Sequence, residues 1–258
     1  MMYETLTSAI EHDIAVITLN RPAVMNALNT QMRAEITDAV RQAGQSARVV
    51  VLTGAGRAFC SGQDLGAEGN FADIDLERTL KDEYVPMLKA ITECPVPTIS
   101  AVNGPAAGAG ANLALAADVV IAADSAYFVQ AFTRIGLIPD AGGTYLLPRQ
   151  MGLAKAMGAA LFADKIYARQ ASEMGMIWES VADEKFLAHW QARAAHLASG
   201  PTETYGHVKT AIRQSFSNSE EDQLELEARL QGACGRTRDF KEGVTAFLDK
   251  RIAKFEGR

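Results

Sequence analysis

Residues 98–112 read Thr98-Ile-Ser-Ala-Val-Asn-Gly-Pro-Ala-Ala-Gly-Ala-Gly-Ala-Asn112. The first five residues form the short apolar run of a buried strand, and the small residues that follow lead into a helical pattern. Glycine and alanine leave the backbone N–H groups of this turn open to a ligand. A close packing contact between helix and strand would require the same small residues. The stretch therefore predicts a strand-to-helix unit, with a ligand or a packing partner against its turn.

Further strands and helices of the same kind surround this unit. The β-branched runs Ile14–Leu19, Arg48–Thr53 and Val119–Ala122 are bounded by turn residues and predict strands. The helical patterns between the strands cover Thr30–Ala43, Leu76–Thr92 and Gly110–Ala117. Because strands and helices alternate, the sequence predicts an α/β fold built on a largely parallel sheet.

The C-terminal part of the chain, from Ala168 onward, is predicted to be almost entirely helical. Its amphipathic stretches are Phe186–Ala198, Thr202–Ser215, Glu220–Ala233 and Phe240–Lys254. Four such helices are too few to bury much surface among themselves, so their apolar faces must pack on the core or on another subunit. We therefore predict a homo-oligomer.

The composition limits the classes of protein to which the chain can belong. It has 258 residues, 48% of them hydrophobic, which suits a large core and argues against a fibrous or disordered protein. The net charge is −6 and the basic residues form no long block, so neither nucleic acid nor an anionic membrane surface is the expected partner. The three scattered cysteines indicate a reducing compartment, and no stretch reaches the roughly 20 apolar residues of a membrane span. We expect a cytoplasmic protein.

A single carboxylate lies between an apolar run and a Pro/Gly turn in Ile135-Gly-Leu-Ile-Pro-Asp-Ala-Gly-Gly-Thr-Tyr-Leu-Leu-Pro148. Apolar neighbours would raise the pKa of Asp140 by desolvation and make it a better proton acceptor. A turn in which the Asp side chain caps the following backbone groups would give the same sequence. Together with the Gly/Ala turn, the segment suggests a base that faces an oxyanion site.

Other chemistries lack their motifs. Gly54-Ala-Gly56 follows a strand, but Phe59 takes the place of the third glycine of a dinucleotide-binding turn. The four histidines are dispersed along the chain, so no metal site is expected. Cys60 has no histidine near it in sequence and is interpreted as a small buried residue rather than a nucleophile.

Several segments, taken in order, resemble the crotonase, or enoyl-CoA hydratase/isomerase, superfamily. They are Leu19-Asn-Arg-Pro22 with Asn26-Ala-Leu28, Leu52–Leu65, Ala101–Ala111, the Asp140 segment and, near the C-terminus, Glu242–Arg251. The resemblance implies a crotonase-like spiral of β-β-α units followed by a helical trimerisation region. It also implies trimers or dimers of trimers, and an acyl-CoA thioester as substrate without a separate cofactor. Residues 1–199 would form the catalytic core and residues 200–258 the oligomerisation region.

The resemblance further implies which residues form the site. Family members hold the thioester carbonyl with two backbone N–H groups, which correspond here to Gln63 and Ala109, and Asp140 matches the carboxylate of isomerase members. An N–H group at the start of a helix suits a negatively charged enolate oxygen. The residues implied in binding the substrate and its CoA are Ala58, Ser61, Gly62, Asp64, Leu65, Gly108, Gly110, Phe132, Phe247 and Lys250. The last two would reach CoA on a neighbouring subunit, unless they are a packed phenylalanine and a solvated lysine.

Departures from the superfamily pattern narrow the reaction. Hydratase members use two glutamates, one to activate water and one to protonate carbon, and their positions are Asn112 and Phe132 here. Hydratase activity is therefore expected to be weak or absent. The dehalogenase members also carry an aspartate at position 140, but their supporting histidine has no counterpart between His12 and His189. The remaining interpretation is an isomerase in which Asp140 takes a proton and returns it elsewhere.

Within the superfamily, the chain resembles most the group that isomerises ring 1,2-epoxyphenylacetyl-CoA to an oxepin thioester in phenylacetate degradation. The segments that carry this resemblance are Phe128–Asp140, Gly143–Arg149, Gly175–Trp178 and Glu242–Arg251. Phe128, Phe132 and Trp178 would flank an aromatic acyl group, with core packing as the alternative for each. Residues 68–80 are expected to cover the acyl chain. The alternative functions are a Δ3,Δ2-enoyl-CoA isomerase, a hydratase-like enzyme of fatty-acid oxidation and a non-catalytic acyl-CoA-binding protein.

Overall fold

A mixed β-sheet forms the centre of the molecule, seen in a computed structural model that describes residues 3–66 and 75–258. The strands along the chain are β1 (Leu6–Glu11), β2 (Ile14–Leu19), β3 (Val49–Gly54), β4 (Thr98–Val102), β5 (Ala106–Ala107), β6 (Val119–Ala123), β7 (Tyr127–Val129), β8 (Ile166–Tyr167) and β9 (Glu179–Val181). The large sheet has the order β1-β2-β3-β4-β6-β9, and every neighbouring pair except β1 with β2 is parallel. The predicted α/β fold with a largely parallel sheet is confirmed.

The helices lie between the strands and then occupy the C-terminal part of the chain. They are α1 (Thr30–Ser46), α2 (Leu76–Thr79), α3 (Val85–Thr92), α4 (Ala109–Leu115), α5 (Gly143–Phe162), α6 (Ala168–Glu173), α7 (Asp183–Ala198), α8 (Thr202–Gln214), α9 (Glu220–Cys234) and α10 (Arg238–Leu248). A π-helical turn over Leu80–Tyr84 joins α2 to α3. α1, α4 and α7 pack on the sheet, with α4 against β4, and β4 is buried along its whole length. No helix within the described residues has both the length and the apolar content to cross a membrane.

A second, small sheet supports the turn that the Gly/Ala segment forms. β5 pairs in parallel with β7, and β7 pairs antiparallel with β8. β5 also continues toward residue 60, because the Ala107 N–H donates to the Cys60 carbonyl oxygen at 2.9 Å. These strands have only two or three residues each, too few for a period-two pattern, so the sequence does not predict them.

One helix was not predicted, and another ends well before its predicted limit. α5 was not predicted, because Pro148 and the non-helical Gly152 interrupt its pattern. α10 ends at Leu248 rather than at residue 254, since Lys250 adopts a left-handed conformation and turns the chain back. The returning tail is held by the buried Asp239 carboxylate, which accepts the N–H groups of residues 256 and 257 at 2.7 and 2.8 Å.

The Asp118 carboxylate joins the central sheet to the helical tail. It accepts hydrogen bonds from the Thr98 N–H and hydroxyl, each at 2.8 Å, at the beginning of β4. It also pairs with Lys209 at 2.7 Å and Arg213 at 2.8 Å, both on α8. The side chains of Asp118 and Lys209 are only 15% and 10% exposed. Removal of one partner from so buried an ion pair leaves an uncompensated charge, which destabilises a fold strongly.

We expect Asp118→Ala to lower the free energy of unfolding by about 3 kcal/mol, since Lys209 loses its counter-charge, although it keeps the carbonyl oxygens of Cys94 and Val96, and the Thr98 N–H loses its acceptor. Urea unfolding followed by circular dichroism measures this change. The control is Asp249→Ala, which removes an exposed ion pair with Arg251 and should change stability by less than about 1 kcal/mol. Equal losses in the two variants would show that the buried network does not hold α8 on the sheet.

Candidate active site

An apolar cavity of about 260 Å³ opens beside the turn that precedes α4. Its lining is largely aliphatic and aromatic, with few polar groups, as is usual for sites that bind small molecules. The lining residues are Ser61, Gly62, Gln63, Leu65, Leu76, Thr79, Leu80, Tyr84, Gly108, Ala109, Ala131, Phe132, Arg134, Ile135, Leu137 and Asp140. The cavity therefore contains Gln63, Ala109 and Asp140, which come from three distant parts of the chain.

The backbone N–H of Gln63 is directed by the peptide group to which it belongs. The carbonyl oxygen of that peptide, on Gly62, accepts a hydrogen bond from the Leu28 N–H at 2.8 Å. The C=O and N–H of a trans peptide point in opposite directions, so the Gln63 N–H points away from Leu28. Within residues 3–66 and 75–258 this N–H has no hydrogen-bond acceptor. It can therefore donate to a ligand oxygen.

The backbone N–H of Ala109 is a second donor in the same place. Ala109 is the first residue of α4, and the first N–H groups of a helix have no partner inside it. A Cβ atom on Gly62 would lie 3.4 Å from the Ala109 nitrogen and 2.7 Å from the Ala107 carbonyl oxygen. Only glycine fits so close to the Ala107–Ala109 backbone, and the φ of +93° at position 62 also favours glycine. The two N–H groups are thus adjacent, as an oxyanion hole requires.

The Asp140 carboxylate lies in the same cavity and is partly buried. Its Oδ1 atom is buried without a hydrogen-bond partner among the described residues. Burial raises the pKa of Asp140 from 3.8 to about 6, against a smaller opposing effect of its own backbone N–H. A carboxylate with such a pKa is half ionised near pH 6 and accepts and releases protons readily near neutrality.

Asn112 holds the backbone of the Asp140 loop. This residue is fully buried, and its amide Nδ2 donates to the Asp140 carbonyl oxygen at 2.7 Å. The Oδ1 of Asn112 in turn accepts from Gln130 Nε2 at 2.9 Å. The same loop is tightened by the Gly143 N–H, which donates to the Asp140 carbonyl oxygen at 2.8 Å. The amide N–H of Asn112 is thus bonded to the loop, and Asn112 is not among the residues that line the cavity.

A buried cation lies next to the cavity and was missed by the sequence analysis. The side chain of Arg33 is completely buried, and its guanidinium pairs with the Glu83 carboxylate at 2.6 Å. It also stacks over the ring of Tyr84, with 4.9 Å between guanidinium carbon and ring centroid. The signal in the sequence was a charged residue on the apolar face of α1, three residues before the buried Ile36.

The residues implied in substrate binding occupy three different positions. Those that line the cavity are Ser61, Gly62, Leu65, Gly108 and Phe132. Ala58, Asp64 and Gly110 are buried and are not among the lining residues. Among the last three, Asp64 pairs with Arg21 at 2.7 Å. Phe247 and Lys250 are exposed and belong to the C-terminal tail, so their predicted role at a neighbouring subunit stays a prediction.

The aromatic residues expected near the acyl group separate in the structure. Phe132 lines the cavity, whereas Phe128 is completely buried in the core and Trp178 is 66% exposed outside the lining. The alternative of core packing is thus the correct interpretation for Phe128.

Residues 68–74 of the expected cover lie outside the described residues, while Leu76 and Leu80, further along it, line the cavity. Cys60 is buried, and burial raises its pKa to about 12, in keeping with a packing role.

Comparison with known proteins shows which family the chain is similar to. The sequence model of the enoyl-CoA hydratase/isomerase family matches residues 9–258. A protein of Rhodobacter capsulatus named Probable enoyl-CoA hydratase is 60% identical over 258 residues, and the 1,2-epoxyphenylacetyl-CoA isomerase of Escherichia coli K12 is 45% identical over 262 residues. Both alignments cover the whole of each chain. The crystal structure of an enoyl-CoA hydratase from Bacillus anthracis superposes with a TM-score of 0.90 at 30% identity, over 99% of this chain and 100% of that one.

The raised pKa of Asp140 predicts how stability depends on pH. The folded-state pKa lies above the unfolded value. The stabilising contribution of Asp140 to the free energy of unfolding is therefore fully present below about pH 4 and is lost as the pH rises through 6. Asp140→Asn cannot ionise and escapes this loss. We expect its free energy of unfolding, relative to wild type, to increase between pH 5 and 8 in urea titrations. If the free energy of unfolding of wild type instead rose with pH relative to Asp140→Asn, the folded protein would stabilise the ionised carboxylate, which would contradict the effect expected from burial.

Proposed function

This chain belongs to the enoyl-CoA hydratase/isomerase family of the crotonase superfamily, and we propose that it is an isomerase of acyl-CoA thioesters. The observation that carries this proposal is the cavity in which one desolvated carboxylate, Asp140, accompanies two adjacent N–H groups, those of Gln63 and Ala109. Such N–H groups polarise a thioester carbonyl, which acidifies the hydrogens on the α-carbon. The carboxylate is the base that accepts one of them.

An isomerisation needs only these groups, because no atom is added or lost. Asp140 removes a proton from the α-carbon, and the electron pair moves onto the thioester oxygen to give an enolate held by the two N–H groups. The protonated Asp140 then returns the proton to a different carbon while the enolate reverts to a thioester. A pKa of about 6 suits both proton transfers, since Asp140 must be a base in the first and an acid in the second.

Hydration would require groups that the described part of the cavity does not supply. Water must be activated by one group and the α-carbon protonated by another, but Asp140 is the single carboxylate among the described lining residues. Asn112 is occupied with the Asp140 backbone, and Phe132 places an aromatic ring at the position of the second glutamate. These substitutions favour isomerase chemistry, although the relative from Rhodobacter capsulatus is named for hydratase activity.

For the substrate, we propose ring 1,2-epoxyphenylacetyl-CoA, converted to the oxepin thioester in phenylacetate catabolism. Two observations support it, the 45% identity over both whole chains with an enzyme named for that reaction, and the ring of Phe132 in the cavity wall. The aliphatic side chains of Leu65, Leu76 and Leu80 favour a second candidate, the Δ3,Δ2-isomerisation of straight-chain enoyl-CoA. The two substrates differ in shape but use the same base and the same N–H groups.

We also propose that the enzyme is a cytoplasmic homotrimer or dimer of trimers. Large apolar side chains remain exposed along α5 and the C-terminal tail, and a homo-oligomeric interface would cover them. Examples are Leu153, Phe162, Phe247 and Ile252, all at least 70% exposed. Sedimentation equilibrium of the purified protein would determine the number of subunits.

The substrate proposal predicts a higher kcat/KM for ring 1,2-epoxyphenylacetyl-CoA than for 3-hexenoyl-CoA. Absorbance and mass spectrometry follow both conversions, and crotonyl-CoA hydration is measured in parallel. Preference for hexenoyl-CoA would establish the aliphatic isomerase instead. Rapid hydration of crotonyl-CoA would contradict the isomerase assignment, because the cavity was inferred to lack a second acid–base group.

The proposed base predicts a mutational and a pH effect. Asp140→Asn should lower kcat at least roughly a hundredfold, because loss of a general acid–base group has that effect, while the Kd for phenylacetyl-CoA stays within about threefold because uniform binding is untouched. In wild type, kcat/KM should be constant above about pH 7 and fall below about pH 6 as Asp140 becomes protonated. A variant with more than about a tenth of the wild-type rate would remove Asp140 from this role.

A further inference from the structure

We propose that Tyr84 and Arg33 are positioning residues for the oxyanion hole, acting through the side chain of Gln63. The Oε1 atom of Gln63 accepts a hydrogen bond from the Tyr84 hydroxyl at 2.5 Å and another from Arg33 Nη1 at 2.8 Å. The proposed function uses only the backbone N–H of Gln63. Its side chain is anchored by these two donors and so restrains the residue whose backbone Leu28 orients; this inference therefore rests on the proposed role of Gln63.

The anchoring is rigid because Arg33 joins two points on either side of the Gln63 peptide. Its Nη1 atom also donates to the Leu28 carbonyl oxygen at 2.8 Å. Leu28 in turn binds the backbone on both sides of Gln63, through the Gly62 carbonyl oxygen at 2.8 Å and the Asp64 N–H at 3.1 Å. One guanidinium group therefore ties the Gln63 side chain to the same residue that orients its backbone.

Arg33 is itself held by several hydrogen bonds, so the position of its guanidinium is well defined. The Glu83 carboxylate accepts from its Nε at 2.8 Å and its Nη2 at 2.6 Å, and the Thr30 hydroxyl lies 3.1 Å from Nη2. A guanidinium with no exposed surface would be very unfavourable without such partners. The planar fork of arginine makes these contacts simultaneously, which a lysine could not do.

Tyr84 reaches Gln63 because of the π-helical turn over Leu80–Tyr84. The Val85 N–H bonds to the Leu80 carbonyl oxygen, five residues back, so the turn contains one residue more than an α-helical turn. Glu83 thereby faces Arg33 on α1 while Tyr84 and Leu80 line the cavity. Burial raises the pKa of the Tyr84 phenol far above its usual range, so the hydroxyl remains protonated and donates to Gln63.

Tyr84→Phe isolates this contact, because the ring that stacks on Arg33 remains and only the hydroxyl is lost. A loosened Gln63 should weaken enolate stabilisation more than binding of the ground state. We expect kcat to fall about tenfold with KM nearly unchanged, a part of the roughly hundredfold to thousandfold effect of losing one oxyanion donor. The control is Tyr167→Phe, which removes an exposed hydroxyl outside the cavity and should leave kcat unaltered.

A double-mutant cycle separates positioning from direct catalysis. Gln63→Met removes the acceptor that Tyr84 uses, so the double variant Gln63→Met/Tyr84→Phe should be no slower than Gln63→Met alone. Multiplicative losses in kcat would mean that the Tyr84 hydroxyl acts on the substrate itself, and would overturn the proposal. Urea unfolding midpoints of the variants confirm that each one is folded before its rate is interpreted.

A spectroscopic measurement tests the positioning role without any turnover. Isotope-edited infrared spectra of bound phenylacetyl-CoA, labelled with ¹³C at the thioester carbonyl, report how strongly the N–H groups polarise it. We expect the carbonyl band to lie at lower frequency than in water for wild type and Tyr167→Phe, and to return part of the way in Tyr84→Phe. An unchanged band in Tyr84→Phe, or no shift in wild type, would overturn the proposal. A clear Tyr84-dependent shift in a protein that isomerises neither substrate would support the positioning role while refuting the proposed function.

Discussion

The site depends on the close approach of two backbone segments that follow neighbouring strands. β3 and β4 are parallel, so the chain leaves both at the same edge of the sheet. The segment after β3 then pairs with the segment after β4 through a bridge between Cys60 and Ala106. At Gly110, a Cβ atom would overlap the Cys60 carbonyl oxygen, so the contact is possible only without a side chain. This contact brings the N–H groups of Gln63 and Ala109 together.

Arg33 and Asp140, two charged residues at the cavity, differ in how fully their polar atoms are hydrogen-bonded. Arg33 is fully buried, but its charge is paired with Glu83 and it also donates to the neutral Oε1 of Gln63. Asp140 is less buried, yet its Oδ1 has no partner among the described residues, which raises its pKa. A folded protein tolerates such an unsatisfied carboxylate at some expense of stability, and sites of this kind are where function is found. In the proposed mechanism, the rigid side of the cavity would hold the oxyanion and the less satisfied side would exchange the proton.

The sequence was most informative where a local pattern determines a local structure. β2 and β4 have the predicted limits because β-branched residues fill a buried strand, and the Asp140 segment was recognised because a carboxylate in an apolar run is unusual. The strands of the small sheet could not be predicted, since pairing with distant backbone rather than their own two or three residues creates them. The contacts of Arg33 with Glu83 and Gln63 also join residues 30 to 50 positions apart, so no local pattern predicts them.

The contacts of Asn112 bear directly on the proposed choice of isomerisation over hydration. As an amide, its Nδ2 donates to the Asp140 carbonyl oxygen while its Oδ1 accepts from Gln130. An ionised glutamate has no donor and would face that carbonyl oxygen with a negative charge. A Cβ atom on Gly143 would lie 2.5 Å from Nδ2, so the loop packs against the amide itself. Asn112 therefore holds the Asp140 loop through its amide and offers no carboxylate to activate water, which is the basis of the proposed isomerase chemistry.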